Sequence, residues 1–192
     1  LDTFLSIALG IGLSAACGFR IFVPLLALSL ASYANWITLS GGFEWIGTLP
    51  AVIAFGTATV FEVAAYYIPW FDNAMDTIAT PVAVVAGVIT SFSVFGEMDP
   101  VMKWSLALIG GGGAAGLIQG ATSLLRLKST VTTLGLGNPV VATFELISSA
   151  LTSVLALIMP LFTLVVLILL CVFVYRVAGK LLFGRRHHPQ PS

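Results

Sequence analysis

Glu62 and Glu145 are the residues best placed to do chemistry. Each sits in a long apolar stretch, and each follows a phenylalanine. A carboxylate inside a membrane-spanning segment costs at least about 2–3 kcal/mol, so it needs a partner or a water-filled cavity. Each lies about seven residues from the cytoplasmic end of its expected span, a depth of about 10 Å at the helical rise. The two could therefore face each other. Carboxylates that close tend to share a proton, which is the chemistry of a proton or cation site. The competing reading is a pair of structural hydrogen-bonding groups. Polar residues continue on the same faces at helical spacing: Tyr66 and Pro69, then Asn73 and Asp76, after Glu62, and Ser148 or Ser149, then Thr152, after Glu145.

Other polar residues join them. Arg20 lies about 17 residues into an apolar stretch, too deep to snorkel unless the helix breaks, so an internal partner is expected. Asp72, Asn73, Asp76, Thr77 and Thr80 crowd one junction. Two carboxylates and an amide suit a hard cation, although a capped, solvated loop accounts for them too. Asn138, in Gly135-Leu136-Gly137-Asn138-Pro139, leads a helix whose N-terminus could meet an anion, or is simply its cap. The glycine run Gly110 to Gly113 reads as close packing, because a phosphate loop would need a lysine and a preceding strand. Cys17 and Cys171 have no metal-ligand spacing, and the histidines, His187 and His188, stand in the tail. No catalytic constellation, metal site or cofactor is expected, so the chain does not read as an enzyme.

The elements that position these residues follow from composition. Of 192 residues, 58% are hydrophobic and 8% charged. A soluble domain carries about 25% charged residues, so the outer face of this chain is expected to meet lipid. Net charge is zero, which argues against nucleic acid as a partner. The fold class expected is an all-α polytopic membrane bundle of about six transmembrane helices. Residues 1–184 form the membrane domain and 185–192 a polar cytoplasmic tail. The first stretch, Thr3 to about Tyr33, is too long for one straight span and is interrupted by Gly18, Arg20 and Pro24. It is either one kinked helix or two half-helices. Further spans are expected at about Leu49–Trp70, Ala74–Phe95 with Asp72 or Asn73 as cap, Met102–Leu125, Asn138–Met159 and Leu161–Leu182.

Arg176, Lys180, Arg185 and Arg186 place the C-terminus in the cytoplasm, at the inner membrane. Counting back over six spans puts the Arg126–Lys128 loop and the N-terminus inside, and the loops 33–48 and 95–99 outside. Trp36, Trp45, Trp70 and Trp104 fall near span ends, where interfacial aromatics belong. The ladders Ala8, Gly12, Ala16 and Gly112, Gly116, Gly120, with the Phe-Glu pairs, suggest an inverted 3+3 repeat.

The segments GLSAACGFRIFVPLL (Gly12 to Leu26), EVAAYYIPWFDNAMDTIATPVAVVAG (Glu62 to Gly87), GGGAAGLIQG (Gly111 to Gly120) and GLGNPVVATFE (Gly135 to Glu145) resemble the membrane family catalogued as domain of unknown function 4126. The resemblance spans nearly the whole chain outside the tail and implies a small bacterial integral membrane protein. It implies no activity. Two functions are therefore carried forward. One is a transporter or channel for a proton, cation or small solute, with membrane lipid around it and a homo-oligomer left open. The other is a non-transporting scaffold, accessory subunit or lipid-binding protein. They separate on whether Glu62 and Glu145 line a cavity or a dry helix contact.

Overall fold

A computed structural model describes the backbone of residues 2–67, 69–133 and 136–183, and their side chains apart from 69–77, 173–175 and 177–183. The described residues form helices and no strands. They are α1 (Thr3–Cys17), α2 (Phe22–Tyr33), a 3-10 turn at Glu44–Gly47, α3 (Leu49–Tyr66), α4 (Pro69–Val94), α5 (Pro100–Ser105), a π-helical segment at Leu106–Gly112, α6 (Gly113–Thr133), α7 (Asn138–Ile158) and α8 (Pro160–Phe183). The expected tail, 185–192, lies outside the described residues.

Among the described residues, three helices are long and apolar enough to cross a membrane: Leu49–Tyr66, the continuous rod Pro100–Thr133, and Asn138–Ile158. The distribution of side chains agrees with lipid as the outer solvent. Phe61, Ile109, Val140 and Leu169 are each more than 60% exposed, whereas Ser14, Ser29, Thr90, Ser91, Ser93, Ser149 and Ser153 are fully buried. Polar groups inside and apolar groups outside reverse the soluble pattern. The buried hydroxyls bond to backbone carbonyls, as Ser14 does to Gly87 at 2.6 Å and Ser29 to Ile46 at 2.6 Å.

The first apolar stretch is two half-helices that fold back on each other. Leu28 and Ala31 of α2 pack with Leu9 and Leu13 of α1, while Leu25 meets Cys17 near the bend. Both outer ends reach the same end of the bundle. There the Ser6 hydroxyl accepts from Gly96 N at 3.4 Å, and Ser40 N donates to Ser93 O at 2.7 Å. The 15 residues of α1 span about 22 Å, shorter than a hydrocarbon core of ~30 Å. From that end α3 descends, α4 returns, the α5–α6 rod descends, α7 returns and α8 descends, with Thr163 beside Gly12 and Leu167 beside Ala15.

This geometry corrects several expectations. Because α1 and α2 fold back on each other instead of continuing as one rod, Thr3 and Phe183 lie at opposite ends of the bundle. Arg126–Lys128 is no loop, because α6 continues to Thr133. Asp72, Asn73 and Asp76 belong to the helical backbone of α4, which starts at Pro69, so neither Asp72 nor Asn73 is its cap. The stretches expected to repeat differ in form, one broken at Gly18 and the other a continuous rod. The glycine ladder is partly a contact. A Cβ on Gly112 would lie 2.9 Å from Val88 and one on Gly116 3.1 Å from Val84, whereas Gly120 faces open space.

Candidate functional site

The bend at Gly18–Ile21 frees backbone groups inside the bundle, and side chains from other helices satisfy them. Glycine at 18 permits the close approach, since a Cβ there would lie 2.5 Å from Ala115 O and 2.6 Å from Ile118 Cβ. At the start of α2, Ile21 N donates to Glu62 Oε1 at 2.7 Å and Phe22 N donates to Glu62 Oε2 at 3.1 Å. A carboxylate on a helix N-terminus gains from both charge-assisted bonds and the helix dipole. At the end of α1, the Ser149 hydroxyl of α7 donates to Ala16 O at 3.0 Å. Two polar side chains thus staple the bend, one for its donors and one for its acceptors.

The Arg20 side chain leaves the bend on the other side and is 2% exposed. Its Nη2 donates to Ala142 O at 2.9 Å and lies 3.4 Å from Glu145 Oε2. Arg126, 3% exposed, grips the same carboxylate at two points, with Nε on Oε1 at 2.8 Å and Nη2 on Oε2. Both guanidinium carbons lie on the Tyr66 ring, at 3.8 Å for Arg20 and 4.1 Å for Arg126, in cation–π range. Glu145 therefore joins two arginines in a closed cluster, with Tyr66 as an aromatic platform. Arg20 Nε and Nη1 are buried without a hydrogen-bond partner among the described residues, whereas Arg126 and Tyr66 have further interactions.

Glu62 and Glu145 do not pair with each other. The backbone that follows Arg20 takes Glu62, and the Arg20 guanidinium takes Glu145. Both glutamates are interior, and both converge on Arg20. Glu62 differs from Glu145 in one respect. It lines a cleft of about 430 Å³ between the start of α2, α3 and α4, together with Phe22, Phe61, Tyr66, Ile78 and Val82. Among the described residues its lining is apolar apart from Glu62 and Tyr66, and Phe61, Ile78 and Val82 carry it to the exposed outer surface.

Of the other expected site residues, Asn138 opens α7 and donates from Nδ2 to the Thr130 hydroxyl at 3.2 Å, with a further interaction besides. The side chains of Asp72, Asn73 and Asp76 lie outside the described residues. The described residues hold no group of three histidine, cysteine, aspartate or glutamate side chains able to share a metal. Sequence reasoning missed Arg126 as a site residue. The signal was present in the stripe Ala115, Ile118, Gln119, Thr122 and Arg126, which is buried at helical spacing along α6.

No curated protein and no solved structure matches this chain. The sequence pattern described as Domain of unknown function (DUF4126) matches residues 7–180. With nearly the whole membrane portion matched, including every residue of the Arg20 cluster, the chain belongs to the DUF4126 family.

Proposed function

We propose that this chain is a multi-pass protein of the bacterial inner membrane that transports a small solute or cation, or a proton, and that it is not an enzyme. Its membrane portion comprises α3, α4, the α5–α6 rod, α7 and α8 as crossings, with α1–α2 as a re-entrant hairpin. Arg176, Lys180, Arg185 and Arg186 put the lower end in the cytoplasm. The start of α1 and the exposed Trp36, Trp45 and Trp104 then belong to the outer interface.

One observation carries the transport reading: Glu62 both holds the tip of the re-entrant hairpin and lines the cleft. Whatever binds or protonates Glu62 draws charge away from Ile21 N and Phe22 N. Site occupancy is thereby coupled to the hold on α2, and the bend is the element that would move. Broken helices with charged groups at their ends are the usual form of transporter sites. Glu145 is committed to two arginines and serves to anchor the bend.

The test is flux in proteoliposomes containing a pH-sensitive dye, with an imposed proton gradient and with candidate cations added outside. Proton or cation movement above that of empty liposomes, abolished by Glu62→Gln, is expected. Flux equal to that of empty liposomes under every gradient would leave the second reading, a non-transporting lipid-binding protein. That reading is favoured by the apolar lining of the cleft, which suits an acyl chain.

A further inference from the structure

We infer that the cleft between α3 and α4 binds an amphiphile with a protonated amine head, its ammonium on Glu62 and its apolar body along Phe22, Phe61, Ile78 and Val82. This names the substrate class of the proposed transport site and rests on that reading for the movement of the ligand, though not for its binding.

The argument starts from the unequal treatment of two buried glutamates. Glu145 is neutralised by two guanidinium groups within ion-pair distance. Glu62, 7% exposed, makes no ion pair among the described residues, and Arg20 acts on it only through its longer-range charge. Its oxygens each accept one backbone N–H, and a carboxylate has about four acceptor positions, so about two stay open. The α2 N-terminus offers only about half a positive charge. Arg20 is directed at Glu145 and Ala142 O. A carboxylate in an apolar cleft with this residual charge calls for a cation that also donates hydrogen bonds, which a primary ammonium does.

The rest of the cleft selects the body. Its volume of about 430 Å³ falls in the ordinary range for small-molecule sites, which are mostly apolar with a few placed polar groups. Phe61, Ile78 and Val82 are 71%, 53% and 41% exposed and form the mouth on the lipid-facing surface, so the ligand enters from the bilayer. A carboxylate-headed amphiphile is repelled by Glu62. An alcohol matches the apolar walls but leaves the charge unmet.

The experiment is calorimetric titration of the full chain in lipid nanodiscs with octylammonium, octanol and octanoate, each corrected against empty nanodiscs and with no gradient present. Saturable octylammonium binding is expected, with octanol and octanoate at least about ten-fold weaker. Glu62→Gln should weaken octylammonium about ten-fold or more. Because Glu62 also holds α2, Ala58→Phe is the second variant, since it fills the cleft and spares the carboxylate; it should abolish binding. Equal binding of octanol and octylammonium, unaffected by Glu62→Gln, would overturn the inference, as would wild-type affinity in Ala58→Phe. Octylammonium binding without flux upholds the inference and removes the transport reading. Glu62-dependent flux without octylammonium binding does the reverse.

Discussion

Glu145 holds two arginines together in the buried interior, and that makes it the most sensitive single residue of the cluster. Removing one member of a buried ion pair typically costs about 3–5 kcal/mol, because the remaining charge is left uncompensated. Glu145→Gln should therefore lower stability in detergent by about that amount, measured by thermal unfolding. Arg20→Gln added to it should restore part of the loss, since one stranded guanidinium is then gone, and an additive double variant would show that Arg20 and Glu145 are not coupled. Ser149→Ala removes only the neutral donor to Ala16 O, and a loss of about 1 kcal/mol is expected. The two glutamates and Arg20 were legible in the sequence because an ionisable residue in an apolar run is costly and so conspicuous. Arg126 was not, because it stands near Lys128, and two basic residues beside a polar stretch look like a cytoplasmic loop. Only the continuation of α6 to Thr133 places it inside. The distinct roles of Glu62 and Glu145 were illegible for a related reason: the Phe-Glu setting is the same, and the difference lies in which part of Arg20 each one meets.

Among the elements, the bend between α1 and α2 depends on what its neighbours allow. Gly18 faces α6 so closely that an added Cβ would press on Ala115 O, a backbone atom that cannot turn aside. Gly18→Ala should destabilise by about 1–3 kcal/mol, the range for overpacking. Gly120, at the open end of the ladder, provides the control. A Cβ there meets nothing within 4 Å, and alanine is the better helix former by up to about 1 kcal/mol, so Gly120→Ala should be neutral or stabilising. Equal losses in the two variants, compared by unfolding midpoint, would show that the contacts at Gly18 do not govern the bend. The sequence marked this break through Gly18, Arg20 and Pro24, yet Pro81 left α4 continuous from Pro69 to Val94. Proline and glycine indicate where a helix can break, and packing decides whether it does. The π-helical turns at Leu106–Gly112 had no sequence signal beyond their glycines. They fall where Gly111 approaches Gly87 O to 2.8 Å from an ideal Cβ, a crossing that needs both residues small.

For the whole molecule, the direction of the first hairpin decides topology. Apolar length alone cannot tell a kinked span from a hairpin, because both bury the same residues, and only long-range contacts such as Ser6 with Gly96 separate them. A count that treats residues 3–33 as one crossing places the start of α1 on the same side as the C-terminal basic residues, and one that treats them as a hairpin places it on the other. The two are distinguishable with single cysteines in a background lacking Cys17 and Cys171. Asp2 is exposed, Gly41 has open space around it, and Leu136 is 85% exposed between α6 and α7. Asp2→Cys and Gly41→Cys should both react with a membrane-impermeant maleimide added to intact cells whose outer envelope has been opened. Leu136→Cys should react only after the inner membrane is permeabilised. If Asp2→Cys behaved like Leu136→Cys, residues 3–33 would cross the membrane after all. Glu62 would then no longer cap a re-entrant tip, and the coupling between cleft occupancy and the bend would lose its structural basis. If it behaves like Gly41→Cys, the charged cluster is held at the tip of a hairpin entering from the outer side.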